Sequence, residues 1–185
     1  EYEAEPGPEA YHRDLWLFSY LCNGANMKDI ARLKYANIDG DRVSFIRSKT
    51  ERSTKQDLKP IIATLPARAK EIIEKWGQKP QAQQTHVFPI LEAGCTPQRE
   101  RELVQGTVKQ VNKYIRRIAA KVGIDQHLTT YTARHSFATV LKQSHAPISY
   151  ISEALGHKDL KTTENYLGSF DDATRNQYAA ALTDF

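Results

Sequence analysis

A chain of 185 residues with 40% hydrophobic and 26% charged residues is long enough for one domain with a real core, and its composition is that of an ordinary globular protein. No apolar run approaches the roughly 20 residues that span a bilayer, and no secretory leader pattern opens the sequence. The net charge is only +4, so a surface for a polyanion has to come from local clustering.

Glu1 to Pro8 is acidic and contains Pro and Gly, and residues 1–10 read as a linker. Without an initiator Met the sequence reads as a fragment or a processed form. Arg13 to Leu21 is dense in apolar and aromatic residues and predicts a buried helix, ended by Asn23-Gly24. Cys22 lies in this apolar stretch and reads as core packing. Cys22 and Cys95 form no CxxC pair and have no nearby His pair, which disfavours zinc and fits a reducing, cytoplasmic compartment. Met27 to Leu33 predicts a short helix with Ile30 and Leu33 inward.

A β region follows. Asp39-Gly40 is a hairpin signal, and Val43, Phe45 and Arg47 alternate with Ser44, Ile46 and Ser48. Leu58 to Leu65 predicts another strand, with Pro60 placing it at an edge. Lys49 to Asp57 is a polar link. A small antiparallel sheet of about three strands follows, since a lone hairpin is marginal in water. Pro66 opens a helix through Trp76, with Gly77 after it. Gln78 to Thr85 is a Gln-rich loop, and Val87 to Leu91 is a short apolar piece of undefined type.

Thr107 to Val122 is the clearest helix, with Val108, Val111, Ile115, Ile118 and Val122 on one stripe and Gly123 as its cap. From Arg99 to Lys121 seven Lys and Arg stand against Glu100 and Glu102. Such a segment suits a polyphosphate partner or a solvated helix face. Lys109, Lys113, Arg116 and Arg117 are its candidate polyphosphate contacts, with Arg47 and Arg52 in the β region. Thr129 or Thr130 caps a helix carrying Arg134, with Phe137, Ala138 and Leu141 inward. Pro147 starts another, with Ile148, Ile151 and Leu155 inward and Gly156 at its end. Thr162 or Thr163 caps the next, which presents Tyr166 in its first turn or so. Asp171 to Phe185 is Ala-rich and predicts a helical tail. The fold class is α+β, mainly helical, with a small three-stranded sheet in the N-terminal third.

Arg134, His157 and Tyr166 bring a guanidinium, an imidazole and a phenol in fixed order. Arg134 can hold a phosphate bidentately, His157 can hydrogen-bond one and Tyr166 can attack one. No metal-ligand cluster or Gly-rich phosphate loop accompanies them, so no cofactor is expected. The combination suggests phosphoryl transfer through a covalent tyrosine.

Two segments carry a resemblance: Tyr131-Thr-Ala-Arg134-His135-Ser-Phe-Ala-Thr139 and Leu155-Gly-His157-Lys-Asp-Leu-Lys-Thr-Thr-Glu-Asn-Tyr166. Upstream, Gly24-Ala-Asn-Met-Lys-Asp29-Ile-Ala-Arg-Leu33 and Arg47-Ser-Lys49-Thr50 also align. The chain resembles the catalytic domain of the tyrosine recombinases, the phage-integrase family, and most closely integrases of Bacteroides-type mobile elements. The resemblance covers nearly the whole chain and implies the catalytic-domain fold over residues 11–170. It implies that Tyr166 attacks the scissile phosphate, forms a 3′-phosphotyrosyl link and releases a 5′-hydroxyl. A second strand's 5′-hydroxyl then reverses the step, so no ATP is needed.

Carried over residue by residue, Arg134 is the family's second arginine, Lys49 the hairpin lysine that protonates the leaving oxygen, and His157 a phosphate-binding histidine. His135 is expected to be a buried residue that orients the others. Two positions depart from the pattern. Asn26 stands where the family usually has its first arginine, and Tyr131 where it has its first histidine. The implied catalytic set is therefore Asn26, Lys49, Tyr131, Arg134, His157 and Tyr166. The cation missing at Asn26 is expected to be supplied by Lys28, Arg32, Arg47 or Arg52.

The resemblance further implies double-stranded DNA as partner, a homotetramer on DNA with the isolated domain monomeric, and a preceding core-binding domain that this sequence does not include. Residues 171–185 would dock on a neighbouring subunit or pack in cis. The function implied is site-specific recombination, as in integration or excision of a mobile element. The alternatives are a degenerate DNA-binding protein that kept the fold and a type IB topoisomerase. A metal-dependent nuclease is disfavoured, because no carboxylate cluster accompanies the basic residues.

Overall fold

The computed structural model describes residues 2–48, 59–168 and 172–182. Lys49, Arg52 and the Lys49–Asp57 link lie outside the described residues. Helix α1 runs Pro8–Leu21 and α2 Met27–Arg32. Helix α1 starts five residues before the expected Arg13, because Pro8 sits in the first turn behind Gly7 with its φ already set for a helix. The added turn is anchored: Glu9 is buried, taking a hydrogen bond from the Tyr2 hydroxyl (2.7 Å) and ion-pairing with Lys121 (3.1 Å).

The strands are β1 Ile38–Asp39, β2 Arg42–Phe45 and β3 Ile61–Thr64. They form a three-stranded antiparallel sheet in the order β1-β2-β3. Asp39 pairs with Arg42, so the turn residues are Gly40 and Asp41, one position beyond the expected Asp39-Gly40. Val43 and Phe45 point into the core, with Ile61 and Ala63 opposite. Strand β2 ends at Phe45, so Arg47 lies past the sheet and not on the expected alternation.

Helix α3 spans Ala67–Trp76. Val87 to Leu91 is neither helix nor strand, yet Val87 and Phe88 are fully buried. The Val87 amide donates to Leu33 O at 2.7 Å, which supplies the partner that a buried amide needs.

Helix α4, Pro97–Lys121, begins ten residues before the expected Thr107. Its first turns are highly charged and include Gly106, so they carry little apolar periodicity. They hold because Thr96 caps the Arg99 amide, with Pro97 behind it, and because Glu100 is clamped by Arg32 (2.9 Å) and Lys28 (3.4 Å) from α2. Val122, expected on the inner stripe, lies past the helix end and is 44% exposed.

Helices α5 Thr130–Gln143, α6 Ile148–Leu155, α7 Leu160–Leu167 and α8 Asp172–Ala181 complete the chain. Thr129 caps α5. The cap of α7 is Asp159, whose carboxylate takes the Thr162 amide at 2.7 Å, not Thr162 or Thr163. An ionised acceptor is the stronger cap at a helix N-terminus. The earlier start moves Tyr166 from the expected first turn to the second.

The main core joins α1, α2, the sheet, α3 and the 87–91 segment. A smaller cluster of Ala138, Ile151 and Leu155 joins α5 to α6, with Tyr166 packed against it. Among the bonds that tie these parts together, Trp16 Nε1 donates to Thr129 O at 2.8 Å and the Thr130 amide donates to Asn112 Oδ1 at 2.7 Å. They fix the N-terminus of α5 against α1 and α4. Among the described residues no helix is long and apolar enough to cross a membrane.

Candidate active site

Arg134, in the second turn of α5, is 3% exposed. Its Nη1 donates to Gly24 O at 3.2 Å and its Nη2 to Leu155 O, so one guanidinium ties the α1–α2 turn to the end of α6. Nη2 also lies 3.4 Å from His157 Nε2. Burial, then the charge of Arg47, pull the guanidinium down to about 10, with Tyr166, Tyr131 and Asp29 working the other way. It remains a cation at neutral pH.

Gly24 makes this approach possible. It has φ +63°, and a Cβ there would lie 2.7 Å from Arg134 Cα. A Gly24→Ala change should therefore push on the α5 backbone as well as strain its own turn. The expected loss is about 1–3 kcal/mol, read as a lower midpoint in denaturant. An unchanged midpoint would show that α5 does not press on this turn.

His157 is set by the end of α6. Gly156 adopts φ +62° and the His157 amide closes back onto Ser152 O at 2.9 Å. This is the usual left-handed helix stop, and it turns the imidazole towards Arg134. The other ring nitrogen, Nδ1, lies 2.8 Å from Thr163 Oγ1 on α7.

Tyr166 packs face to face on His135, with ring centroids 4.4 Å apart and an interplanar angle of 4°. His157 meets it edge-on at 5.8 Å and Tyr131 at 6.2 Å. The Tyr166 hydroxyl is buried and makes no hydrogen bond of ordinary geometry among the described residues, with the Tyr131 side chain close enough to act on it. Burial, and next the neighbouring Tyr131, raise its pKa above the usual phenol range, while Arg134 and Arg47 pull it back. His135 is exposed, not buried as expected. One face covers Tyr166 and the edge of the ring meets Tyr131 at 4.5 Å, which leaves the rest towards solvent. Partial burial and the adjacent Arg134 lower its pKa, which favours the neutral ring.

Arg47 joins this group. It lies just past β2, half-buried, with Nη1 3.4 Å from Gly156 O, and its charge acts on both Arg134 and Tyr166. Lys28 and Arg32 are instead engaged by Glu100 on α4. Asn26 turns its amide onto Asp29 Oδ2 at 3.2 Å, and Asp29 Oδ1 takes the Ser48 amide at 2.8 Å. Asn26 is thus linked to the base of the segment leading to Lys49 through Asp29, a carboxylate inside an aligned segment to which the sequence assigns no role. Thr163 was missed as well, although it lies three residues before Tyr166 and is fully buried.

Lys109, Lys113, Arg116 and Arg117 are all exposed on α4. Their spacing puts them opposite the buried Val111, Ile115 and Ile118. Lys113 and Arg117 lie over the Tyr114 ring, and Arg116 Nε donates to Leu128 O at 3.3 Å. The ends of the basic run are neutralised internally, Arg99 by Glu92 at 2.7 Å and Lys121 by Glu5 at 2.8 Å. The middle of the helix therefore carries the local positive charge.

Solved structures share this arrangement of elements. XerH site-specific recombinase in a post-cleavage complex with palindromic difH substrate matches over 97% of the chain and 48% of its own, with a TM-score of 0.63 and 16% identity. The Tn1549 transposon integrase with transposon right end DNA matches over 93% of the chain and 59% of its own, with a TM-score of 0.62 and 12% identity. The fold is therefore that of the tyrosine recombinase catalytic domains. The phage integrase family model matches residues 8–172, and the chain belongs to that family. Tyrosine recombinase XerC of Xanthomonas campestris pv. campestris (strain B100) is 28% identical over 148 residues, which are 80% of the chain and 41% of that protein. Tyrosine recombinase XerD of Halalkalibacterium halodurans is 40% identical over 67 residues, 36% of the chain and 22% of that protein. The chain thus spans less than half the length of these curated relatives.

Proposed function

We propose that this chain is the catalytic domain of a site-specific DNA recombinase, which cuts and rejoins DNA through a 3′-phosphotyrosyl intermediate. The observation that carries the reading is convergence. Arg134 on α5, His157 after α6, Tyr166 on α7 and Arg47 after β2 meet in one cluster, although no two share an element. Cations beside an imidazole and a phenol suit a phosphodiester, whose transition state gathers negative charge on its non-bridging oxygens.

In the proposed reaction Tyr166 Oη gives up its proton to solvent and bonds to phosphorus as the bond to the 5′-oxygen breaks. Lys49 protonates that oxygen, in line with the family pattern. Arg134, His157 and the Tyr131 hydroxyl bind the non-bridging oxygens, and the neutral His135 holds the Tyr166 ring. Rejoining reverses the step with the 5′-hydroxyl of a second strand. Lys109, Lys113, Arg116, Arg117 and Arg52 contact the duplex backbone, which makes binding salt-sensitive. The working form is a homotetramer on double-stranded DNA in the cytoplasm. A protein kept only for binding DNA would have no use for a phenol in this position.

Asn26 leaves the site without the family's usual first arginine, and Arg47 takes over that charge. Arg47→Ala should lower cleavage by about 10²–10³-fold, while duplex affinity changes by less than about tenfold. Adding Asn26→Arg to that variant should recover part of the rate. Unchanged cleavage in Arg47→Ala would remove Arg47 from the site.

Covalent trapping tests the function. The whole protein, incubated without Mg²⁺ on a nicked suicide form of its own attachment site, should give a denaturation-resistant protein–DNA adduct. DNA binding without any adduct would leave the degenerate binder as the better reading.

A further inference from the structure

We infer that Thr163 is a positioning residue for His157: its hydroxyl steadies the Nδ1–H form that Arg134 demands and can still donate to Nδ1 once Nε2 takes the proton and turns to a phosphate. The inference rests on the transesterification reading only for its catalytic consequence. The geometry stands on its own. Thr163 is fully buried on α7, with Oγ1 2.8 Å from His157 Nδ1, while His157 Nε2 faces Arg134 Nη2 at 3.4 Å.

A guanidinium has only donors. Nε2 opposite Nη2 must therefore present its lone pair, which puts the proton on Nδ1 and makes Thr163 Oγ1 its acceptor. The reverse assignment would set two N–H groups against each other. In a neutral imidazole the bond at one nitrogen bears on the state of the other, so Arg134 dictates the tautomer and Thr163 stabilises it by accepting from Nδ1–H.

The residue type matters as much as the distance. A phosphate oxygen between Arg134 and His157 needs donors from both. A carboxylate opposite Nδ1 would hold the proton there, and Nε2 could then donate only from an imidazolium. A hydroxyl both donates and accepts. It can turn and donate to Nδ1 once Nε2 carries the proton, or keep accepting if the ring is doubly protonated. Because ring protons on this half-buried histidine exchange with water, His157 can pass from acceptor to donor without moving. Thr163 and Tyr166 share α7, so the same helix carries both the nucleophile and the partner of the phosphate-binding histidine.

The test uses ¹⁵N-histidine labelling of the whole protein, with the His157 signals assigned by their absence in His157→Gln. The native protein should show a protonated Nδ1 and a bare Nε2. Thr163→Val, which keeps the shape and removes the hydroxyl, should move the ring towards the Nε2–H form. Thr163→Ser should restore the native pattern. On a suicide substrate Thr163→Val should form adduct about 10–100-fold more slowly, short of the loss of a whole donor, and Thr163→Ser within about threefold of native. Native ¹⁵N shifts in Thr163→Val would overturn the inference, and so would a tautomer change with no change in adduct rate. A tautomer change in a protein whose native form traps no DNA would uphold the positioning and sink the recombinase reading instead.

Discussion

Replacing Tyr166 with Phe should abolish the covalent adduct, with at least about a 10⁴-fold loss of cleavage, and should leave the protein no less stable. The two halves have one structural cause. The Tyr166 hydroxyl is buried without a hydrogen bond of ordinary geometry among the described residues, while its ring is stacked on His135 and packed against the Ala138, Ile151 and Leu155 cluster. Phe keeps every ring contact and removes only the oxygen. An unsatisfied buried polar group costs about 1–3 kcal/mol, so the thermal midpoint should hold or rise. Chemistry runs the other way, because Phe has no hydroxyl to attack phosphorus, and the neighbouring phenol of Tyr131 is assigned to the phosphate oxygens instead. Duplex binding should persist, since the basic face of α4 is untouched. A gel-shift and an adduct gel on the same samples decide it. An adduct that survives in Tyr166→Phe would move the nucleophile to another residue.

The raised pKa of Tyr166 adds a condition to that chemistry. Burial makes its phenolate harder to form than in water, and Arg134 and Arg47 only partly offset this. The DNA-free site is therefore not primed. On the proposed function, a bound phosphate has to draw the cations closer to the hydroxyl. Cleavage should depend on how the substrate seats as much as on the residues present.

Much of this was legible in the chain itself. The segment from Thr129 to Tyr166 is written in helix punctuation, with Thr129, Pro147 and Gly156 at element ends, and the order of Arg134, His157 and Tyr166 carried the chemistry. The three-stranded sheet followed from the Asp39-Gly40 signal and the alternation after it. Where the reading fell short, long-range contacts decided the outcome. The first turns of α4 depend on a clamp between Glu100 and α2, which periodicity does not record. Asp159 outcompetes Thr162 and Thr163 as a cap because it is charged. His135 turned outward because Tyr166, 31 positions later, took its face. Asp29 and Thr163 lie inside the aligned segments without an assigned role and become informative through what they touch. Of the four basic residues weighed against the Asn26 position, spacing could not choose. The Glu100 pairs account for Lys28 and Arg32, Arg47 reaches the cluster, and Arg52 lies outside the described residues.

Arg134→Lys should separate the two jobs of this guanidinium, and Arg134→Ala should show their combined cost. In the native site Nη1 and Nη2 hold Gly24 O and Leu155 O while the group stays charged. Removing the side chain leaves two buried carbonyls without their donors, at about 1–3 kcal/mol each, and opens a cavity beside Gly24. Arg134→Ala should therefore lose stability and activity together, and its inactivity alone would say little about catalysis. Lysine retains the charge and can satisfy one carbonyl, but has no planar fork to span the second and still grip a phosphate. Arg134→Lys should fold with a modest loss, bind duplex DNA nearly as well as native, and cleave about 10²–10³-fold more slowly. Arg47→Ala provides the contrast, because Arg47 is half-buried, with Nη1 3.4 Å from Gly156 O, whereas Arg134 is buried between two carbonyls. Its loss should slow cleavage with little change in the denaturation midpoint. Should Arg134→Lys cleave at the native rate, a point charge would suffice at this position, and bidentate phosphate recognition by Arg134 would have to be given up.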